Sequence, residues 1–399
     1  MGCAWSKHDP PKRPLDLVLL GSPKSGKSTI VKQLTYEFKG GFDRQTCEGF
    51  AKDVQYNVLR MLGLVLSTGK VEIDPFLKDQ SDAVIQMYHK FASEVTWSVE
   101  VLMLADHLEE KHEHVDAIVA VSKMQSLRRY VDDHLKTEPA RAFLRDAEKI
   151  FRPNYVPTKD HILRVRLPEI GSHDYAFELE GGRKLSVHVV DGVRETRKDW
   201  MEKVMRCDAV VFVASMADHF PEGPAGQVSP GTGPAGEEKG KGKGRGTRFF
   251  SVSPVGAKEE SQGLFAQLAV CVRRLREKGR RKTLFLLLNK TDVAHDRLAG
   301  AAAGGGGGKG AGGELLEEEI RRVDETLTRA KEEYEAVAGL GEEGDDEGKC
   351  HCRSVCSLDP GPFLQVFPGM LDLMCEELEE WAGCKPKDKA KAAKVVEAK

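Results

Sequence analysis

The chain has 399 residues, in which 60 Lys and Arg stand against 63 Asp and Glu, so its formal net charge is −3. This length allows one large domain or two ordinary ones with a substantial buried core, and the charge argues against a general nucleic-acid partner. No apolar run approaches the ~20 residues that span a bilayer, and we expect no secretory signal. The nine cysteines lack the spacing of a disulfide framework, which favours reduced thiols in a cytosolic protein.

The first residues, MGCAWS, match the pattern for N-myristoylation. Gly2 would carry the myristoyl chain, and the adjacent Cys3 would carry a palmitoyl chain. One acyl chain gives only marginal membrane affinity, so the second chain and the nearby basic residues would make the attachment stable. The pattern is short, and a chance match is the alternative interpretation. We expect residues 1–14 to form a lipidated segment.

The first predicted elements are a strand and a helix. Residues 15–20, LDLVLL, form an apolar run that ends in Gly21, which is typical of a buried parallel strand. A helix should begin near Gly26 and point three apolar residues inward at helical spacing, Ile30, Val31 and Leu34. From residue 43 to residue 158 the pattern is helical almost throughout, and we expect an all-α domain there.

Strand patterns return after residue 158. YAFELEG and KLSVHVVD are separated by a Gly-Gly turn, and AVVFVAS and TLFLLLN follow. These segments predict an α/β domain formed by residues 15–42 and 159–385 and interrupted by the helical domain. Segments at about 219–250, 297–313 and 339–349 are rich in Gly, and a basic tail covers 386–399. The three Gly-rich segments cannot bury enough apolar surface to offset their ordering entropy, so we expect disordered insertions.

Two groups of side chains raise the question of a metal site. The segment CHCRSVC, residues 350–356, is dense in possible zinc ligands, but the two ligand pairs of a zinc finger are missing. Three histidines lie on a Glu-rich helical segment, and a solvated helix face is the expected explanation for His107, His112 and His114. We therefore predict no zinc site from either group.

The segment GSPKSGKST, residues 21–29, is a complete G-x-x-x-x-G-K-[ST] phosphate-binding loop between a predicted strand and a predicted helix. Its backbone N–H groups and the helix N-terminus would cradle phosphates. Lys27 would reach the β and γ oxygens, Ser28 would offer its hydroxyl to Mg²⁺, and Pro23 removes one N–H and stiffens the loop. We expect the nucleotide-binding residues of this loop to be Gly21, Lys24, Ser25, Gly26, Lys27, Ser28 and Thr29.

A second motif, LLNKTD, indicates which base is bound. Asn289, Lys290 and Asp292 follow a buried strand in the N-K-x-D arrangement of guanine-binding GTPases. The Asp292 carboxylate can accept from the N1–H and the 2-amino group of guanine, a pattern that adenine does not offer. The alternative interpretation of this segment is an ordinary strand end followed by a turn. If the protein were a P-loop ATPase or kinase, the N-K-x-D match would have to be accidental. The combination with the phosphate loop favours guanine.

Together these motifs resemble the alpha subunit of heterotrimeric G proteins more than a small Ras-type GTPase. SGKSTIVKQL resembles the family's phosphate loop and first helix, RPNYVPTKDHILRVR its return into switch I, and ESQGLFAQL the helix before the NKTD strand. The resemblance covers nearly the whole chain outside the Gly-rich segments. It implies a Ras-like P-loop GTPase domain with a mostly parallel sheet, an inserted all-α domain, and GTP or GDP as the nucleotide.

The resemblance also implies roles for switch I and for the base loop. Arg166 matches the family's catalytic arginine, which is supplied in cis and is worth ~10³–10⁵ in rate. Leu163 and Arg164 fall at nucleotide-binding positions. Glu169 stands where the family has a threonine that binds Mg²⁺, so metal affinity would be altered. Ser357 replaces the alanine of the second guanine loop, where a backbone N–H contacts the base.

Switch II departs further from the family. The segment VVDGVRETRKDW keeps Asp191, which acts on Mg²⁺ through a bound water in the family, but it is two residues shorter before RKDW. Gly192 stands for the glycine that contacts the γ-phosphate, and Val193 falls near the position of the catalytic glutamine. Valine cannot orient water. Glu195 could do so only if the shortened loop turned it inward.

The resemblance implies a βγ dimer and a seven-helix receptor as partners, at the cytoplasmic face of the plasma membrane. Fourteen residues precede Leu15, and their prolines rule out a long regular docking helix. The segment FLQVFPGMLDLMCEELEEWAGC resembles the final, receptor-engaging helix but contains Pro368 and is followed by the basic tail. These departures argue against the usual mode of partner binding.

Two hypotheses follow from the sequence. The first is a membrane-anchored guanine-nucleotide switch of the G-alpha type, a GTPase whose hydrolysis is slow because the glutamine is missing. The alternative is a pseudo-GTPase that works as a scaffold or binding module without a nucleotide cycle, which Glu169, Pro23 and the shortened switch II favour.

Overall fold

The structure, a computed structural model, describes residues 14–92, 97–134, 140–166, 173–179, 184–190, 197–219, 254–277, 282–292, 312–338, 350–356 and 360–383. In chain order the elements are β1 (Leu15–Gly21), α1 (Lys27–Phe38), α2 (Arg44–Ser67), α3 (Lys78–Phe91), α4 (Trp97–Glu110), α5 (His112–Ser122), α6 (Gln125–His134), α7 (Ala140–Ile150), α8 (Lys159–Arg164), β2 (His173–Glu178), β3 (Lys184–Val189), α9 (Arg197–Arg206), β4 (Ala209–Ser215), α10 (Pro254–Glu277), β5 (Thr283–Asn289), α11 (Gly312–Ala338), β6 (Cys350–Val355) and α12 (Pro360–Gly383). Short 3-10 helices occupy Pro75–Leu77 and Met216–His219.

The described residues divide into two compact units. One unit contains the sheet and holds residues 14–41 together with the described residues from 173 onward. The other unit is helical and holds the described residues from 42 to 166. Helix α8 belongs to the helical unit, so this unit extends beyond residue 158, where the sequence places its end.

The sheet has the strand order β2-β3-β1-β4-β5-β6. Strand β2 runs antiparallel to β3, and every other neighbouring pair is parallel. The central strands β1, β4 and β5 are almost completely buried, as expected for parallel strands that are covered on both faces. The prediction of a mostly parallel sheet in an α/β domain is therefore confirmed.

Alternate residues of the strands build a core on each face of the sheet. On one face Leu17 and Leu19 pack with Ile30 of α1 and Phe363 of α12. On the other face Val18 and Leu20 belong to a cluster that includes helices α9, α10 and α11; its large aromatic members are Trp200, Phe212, Phe265 and Tyr334. Helix α1 begins and points inward as the sequence predicts, with Ile30, Val31 and Leu34 buried.

The helical unit has a hydrophobic core of its own. Its buried cluster extends from Val54 to Val165 and includes side chains from helices α2 through α7. Helix α2 is the longest of the unit's described helices, and its second half is buried on nearly all sides, with Asp43 capping its start through the Thr46 N–H at 2.7 Å. The long helical pattern that the sequence predicts from residue 43 onward corresponds to helices α2–α7.

Strand β6 was not predicted from the sequence. Its segment, CHCRSV, lies at the edge of the sheet and pairs parallel to β5. Cys350 and Cys352 pack against the core that includes Trp200, and the His351 ring lies 5.3 Å from that of Phe285. Burial raises the pKa of the Cys352 thiol to about 11, which keeps it protonated. Among the described residues, no group of three or more His, Cys, Asp or Glu side chains could hold a metal ion.

The histidine segment also differs from the expectation of a solvated face. His107 and His114 are half-buried, and the Nε2 of His107 lies 2.7 Å from the Nδ1 of His114; only His112 is exposed. The three Gly-rich segments fall largely outside the described residues, as do residues 386–399. No helix within the described ranges has the length and apolarity needed to cross a membrane.

Candidate nucleotide-binding site

The phosphate loop connects β1 to α1 through two unusual backbone conformations. Lys24 and Gly26 have positive φ angles of 64° and 103°. Gly21 lies so close to β4 that a Cβ there would come within 2.3 Å of the Val213 carbonyl oxygen. A side chain at this position would force the strands apart, so the loop can leave the sheet here only from a glycine. The motif's first glycine is thus required by the packing of the sheet itself.

The loop delivers the chain to the N-terminus of α1. Gly26 is the N-cap, and no side chain caps the first turn. The first amides of a helix have no intrahelical acceptor, and the helix dipole adds partial positive charge there. This end of α1 therefore has the chemistry that binds phosphate.

Lys27 is enclosed by the loop. Its side chain is 2% exposed, and its Nζ donates to the carbonyl oxygens of Gly21 at 3.0 Å and of Ser22 at 2.9 Å. A buried ammonium needs such acceptors to offset its desolvation. The hydroxyls of Ser22 and Ser25 are also buried in this loop, and neither has a hydrogen-bond partner in the described structure. The loop therefore gathers one buried cation and two unsatisfied hydroxyls, a set suited to phosphate oxygens.

Asn289 joins the second motif to the phosphate loop. It ends β5, is fully buried, and donates from Nδ2 to the carbonyl oxygen of Ser25 at 2.8 Å. Lys290 follows with a positive φ of 66°, so the chain turns sharply here, and Asp292 is exposed. Since β1, β4 and β5 are adjacent and parallel, both motifs lie at the carboxyl edge of the sheet, where α/β proteins bind ligands.

The remaining residues of the loop fit the predicted cation. Ser28 and Thr29 lie in the first turn of α1 and are half-buried. A serine hydroxyl at this place is an oxygen ligand of the kind that Mg²⁺ takes together with phosphate. The other predicted metal ligands, Glu169 and Asp191, lie outside the described residues, as do Gly192, Ser357, Gly2 and Cys3. Strand β3, which precedes Asp191, ends beside β1. Just after its end, the Val190 N–H donates to the Leu19 carbonyl oxygen at 2.9 Å.

The switch I candidates lie in the helical unit. Leu163 is buried in α8, and Arg164 pairs with Asp160 one turn earlier, Nε to Oδ1 at 2.8 Å. Arg166 follows α8 and is half-buried. Its backbone is bound on both sides by Asn57, a residue that sequence reasoning did not single out. Because 109 residues separate the two, no local pattern could have revealed this contact.

Comparison with known proteins agrees with this geometry. The family model described as "G-protein alpha subunit" matches residues 6–220. The chain is 30% identical over 213 residues to the guanine nucleotide-binding protein alpha-7 subunit of Caenorhabditis elegans, and 27% identical over 213 residues to that of Caenorhabditis briggsae. Each match covers 52% of this chain and 56% of the relative, so the chain spans about half the length of these curated relatives. The residues that the family model matches hold the phosphate loop, the helical unit and strands β1 to β4, and the chain belongs to the family of G-protein alpha subunits.

Proposed function

We propose that this protein binds GTP and GDP as a signalling switch of the G-alpha type and hydrolyses GTP slowly. In this proposal the phosphate loop and Lys27 hold the phosphates, and Asn289 with Asp292 selects guanine. Mg²⁺, when bound, neutralises phosphate charge. The residues that would hold it are Ser28, Glu169 and Asp191. Arg166 would stabilise the charge that develops on the γ-phosphoryl group.

The observation that carries the proposal is the hydrogen bond from Asn289 to the Ser25 carbonyl. It holds the end of the base-recognition strand against the phosphate loop, although 264 residues separate the two in sequence. A loop that binds phosphate alone would not need this connection. The bond fixes the distance between a phosphate site and a carboxylate suited to guanine, which supports recognition of one whole nucleotide.

Binding is tested with a fluorescent GTP analogue and competition by unlabelled GTP, GDP and ATP. We expect GTP and GDP to compete and ATP to fail.

Lys27→Ala should reduce affinity at least about tenfold, because a charge-assisted phosphate contact is worth about 1.5–3 kcal/mol. Asp292→Asn should also weaken guanine binding, since it replaces an acceptor by a donor facing the base N–H groups. Lys70→Ala, at an exposed site of the helical unit, is the control and should bind as the unmodified chain does. Equal competition by ATP would contradict guanine selection.

Slow hydrolysis is proposed because Val193 stands near the position of the water-orienting glutamine. Single-turnover phosphate release from GTP-loaded protein measures it. We expect a rate constant below ~10⁻² s⁻¹, the value typical of the architecture with its arginine in cis. A rate at or above that value would contradict impaired hydrolysis without affecting the proposal that the protein binds GTP.

The second candidate function is a pseudo-GTPase scaffold, favoured by Glu169, Pro23 and the shortened switch II. Trp200 distinguishes the two, because its counterpart in the family changes environment when the γ-phosphate binds. Here Trp200 lies near the start of α9 and is 1% exposed, in the core of the sheet unit. A working switch should change its fluorescence between GDP and a non-hydrolysable GTP analogue. Identical spectra at saturating nucleotide would favour the scaffold.

Membrane attachment through Gly2 and Cys3 is part of the proposal and rests on the sequence pattern. Gly2→Ala removes the myristoylation site, so it should move the protein from the membrane fraction to the soluble fraction of expressing cells. Unchanged fractionation would contradict lipid anchoring. Family membership implies a βγ dimer and a receptor as partners, whereas the prolines before Leu15 and Pro368 argue against binding in the usual mode. A pull-down of βγ with GDP-loaded protein tests the first of these partners.

A further inference from the structure

The side chain of Asn57 binds the backbone of Arg166 from both directions. Its Nδ2 donates to the Arg166 carbonyl oxygen at 3.1 Å, and its Oδ1 accepts from the Arg166 N–H at 3.2 Å. The same Nδ2 donates to the Asp53 carbonyl oxygen at 2.8 Å, one turn earlier in α2. Asn57 is 7% exposed and lies in the middle of that helix. The backbone of residue 166 is thereby tied to a buried helix at both of its polar groups.

A carboxamide suits this contact because one rigid plane carries both a donor and an acceptor. The pair of bonds fixes the orientation of the bound peptide unit as well as its distance from α2. Since Asn57 is buried, removing it leaves polar backbone groups without their partner, which costs more than a typical exposed hydrogen bond. The direction in which the Arg166 side chain leaves the backbone is therefore constrained by α2.

The residues just before Arg166 are held in the same unit. His161 of α8 is 3% exposed, and its Nδ1 lies 2.6 Å from the Tyr155 hydroxyl while its Nε2 lies 3.3 Å from Asp146 Oδ2 on α7. Val165 is buried in the helical core. Helix α8 and the residues after it are thus packed against α7 and α2, and Asn57 holds Arg166, where this described stretch ends.

We propose that Asn57 is a positioning residue for the catalytic arginine, Arg166. The inference rests on the proposed function, in which Arg166 acts on the γ-phosphoryl group. Asn57 acts through the backbone of Arg166 and has no role in nucleotide binding. A misplacement of about 1 Å costs ~10²-fold in rate at a reacting centre, so loosening this attachment lowers the rate of hydrolysis and leaves GTP affinity in place.

The test is single-turnover GTP hydrolysis by the full chain, with each rate normalised to the fraction that binds GTP. Asn57→Ala should lower the rate constant about tenfold or more while changing GTP affinity less than about twofold. Asn57→Asp keeps the size and the acceptor but turns the donor into an oxygen that faces two carbonyls, so it should slow hydrolysis as well. The matched control is Gln55→Ala in the same helix, whose carboxamide donates to the Ile150 carbonyl oxygen at 3.1 Å. Gln55→Ala removes one such bond from a half-buried site, so it should lower the thermal midpoint by less than Asn57→Ala does and leave the rate unchanged.

A double-mutant cycle distinguishes positioning from loss of stability. In the Arg166→Ala background, Asn57→Ala should produce no further decrease, because the arginine through which it acts is gone. A decrease of equal size in both backgrounds, or a rate like that of the unmodified chain for Asn57→Ala, would overturn this inference alone. If Arg166→Ala left the rate unchanged, or if the unmodified chain did not hydrolyse GTP, the proposed role of Arg166 would fail and the inference with it.

Discussion

At the scale of single residues, Asn289 belongs to the base-recognition motif and also stabilises the fold through its bond to the phosphate loop. Its hydrogen bond to the Ser25 carbonyl is fully buried, so Asn289→Ala leaves that oxygen unsatisfied. We expect the free energy of unfolding to fall by about 1–3 kcal/mol and the affinity for GTP to fall as well, measured by denaturant unfolding and by competition. Gln262→Ala removes a carboxamide bond to Glu333 elsewhere in the sheet unit and should leave GTP affinity unchanged. Unchanged GTP affinity in Asn289→Ala would contradict the role of this bond in the site.

The pair of histidines predicts a dependence of stability on pH. Burial lowers the pKa of His107 below its usual 6.5, and the charges of His114, Lys90 and Lys111 lower it further, against an opposing effect of Glu110. Because the folded pKa lies below the unfolded one, the unfolded chain takes up the proton more readily. The stability that His107 contributes is therefore present above its unfolded pKa and is lost as the pH falls through its folded pKa.

Thermal midpoints measured from about pH 8 to about pH 5 test this prediction, since that range contains the titration of histidine. The midpoint of the unmodified chain should decrease on acidification, and His107→Gln should decrease less. His112→Gln, at the exposed histidine of the same segment, should behave as the unmodified chain does. An identical decrease in all three proteins would contradict the assignment to His107.

At the scale of elements, two glycines of α2 should respond oppositely to the same change. A Cβ at Gly63 would lie 2.1 Å from the Cβ of Tyr88 on α3, whereas a Cβ at Gly49 would have nothing within 4 Å. The Tyr88 Cβ is fixed by its own helix, so Gly63→Ala forces α2 and α3 apart at a cost of about 1–3 kcal/mol. Gly49→Ala should stabilise by about 0.5–1 kcal/mol through helix propensity. Urea unfolding measures both, and equal effects would contradict the close packing at Gly63.

The elements also show what sequence can and cannot predict. Strands β1, β4 and β5 are continuous apolar runs, and α1 has apolar residues at helical spacing, so each was predictable from local pattern. Strand β6 has no such pattern, because an edge strand with exposed positions reads as CHCRSV. Helix α11 follows a Gly-rich segment and was not predicted either. Strand β6 is stabilised by its pairing with β5 rather than by a local signal. In α11 the core residues Val323, Ala330 and Tyr334 do recur at helical spacing, so this helix had a local pattern that could have predicted it.

The site divides in the same way. Glycines, Lys27, Asn289 and Asp292 follow from motifs, because their spacing is set by the loop that must surround a phosphate or a base. The bond of Asn289 to Ser25 spans 264 positions of the sequence, and the bond of Asn57 to Arg166 spans 109 positions. Only the folded chain brings such pairs together. The bond of Asn289 to the phosphate loop and the whole role of Asn57 therefore could not be predicted from spacing.

At the scale of the whole molecule, the helical unit carries everything that independent folding requires. All members of its hydrophobic cluster lie between Phe50 and Val165, and the buried hydrogen bond from Tyr56 to Glu100, at 2.7 Å, also lies inside it. More than a hundred residues around one core are the usual size of an autonomous domain. We therefore expect a fragment of residues 42–166 to fold alone, with helical circular dichroism and a cooperative thermal transition.

Phe143→Ala, at a side chain that is 1% exposed in this core, should lower the midpoint of the fragment and of the full chain, because truncating a buried Phe costs about 3–5 kcal/mol. Arg44→Ala, at an exposed pair with Glu48, is the control and should change either midpoint little. A fragment that shows helical signal but melts without a cooperative transition would contradict an autonomous helical unit and would mean that its packing depends on the rest of the chain.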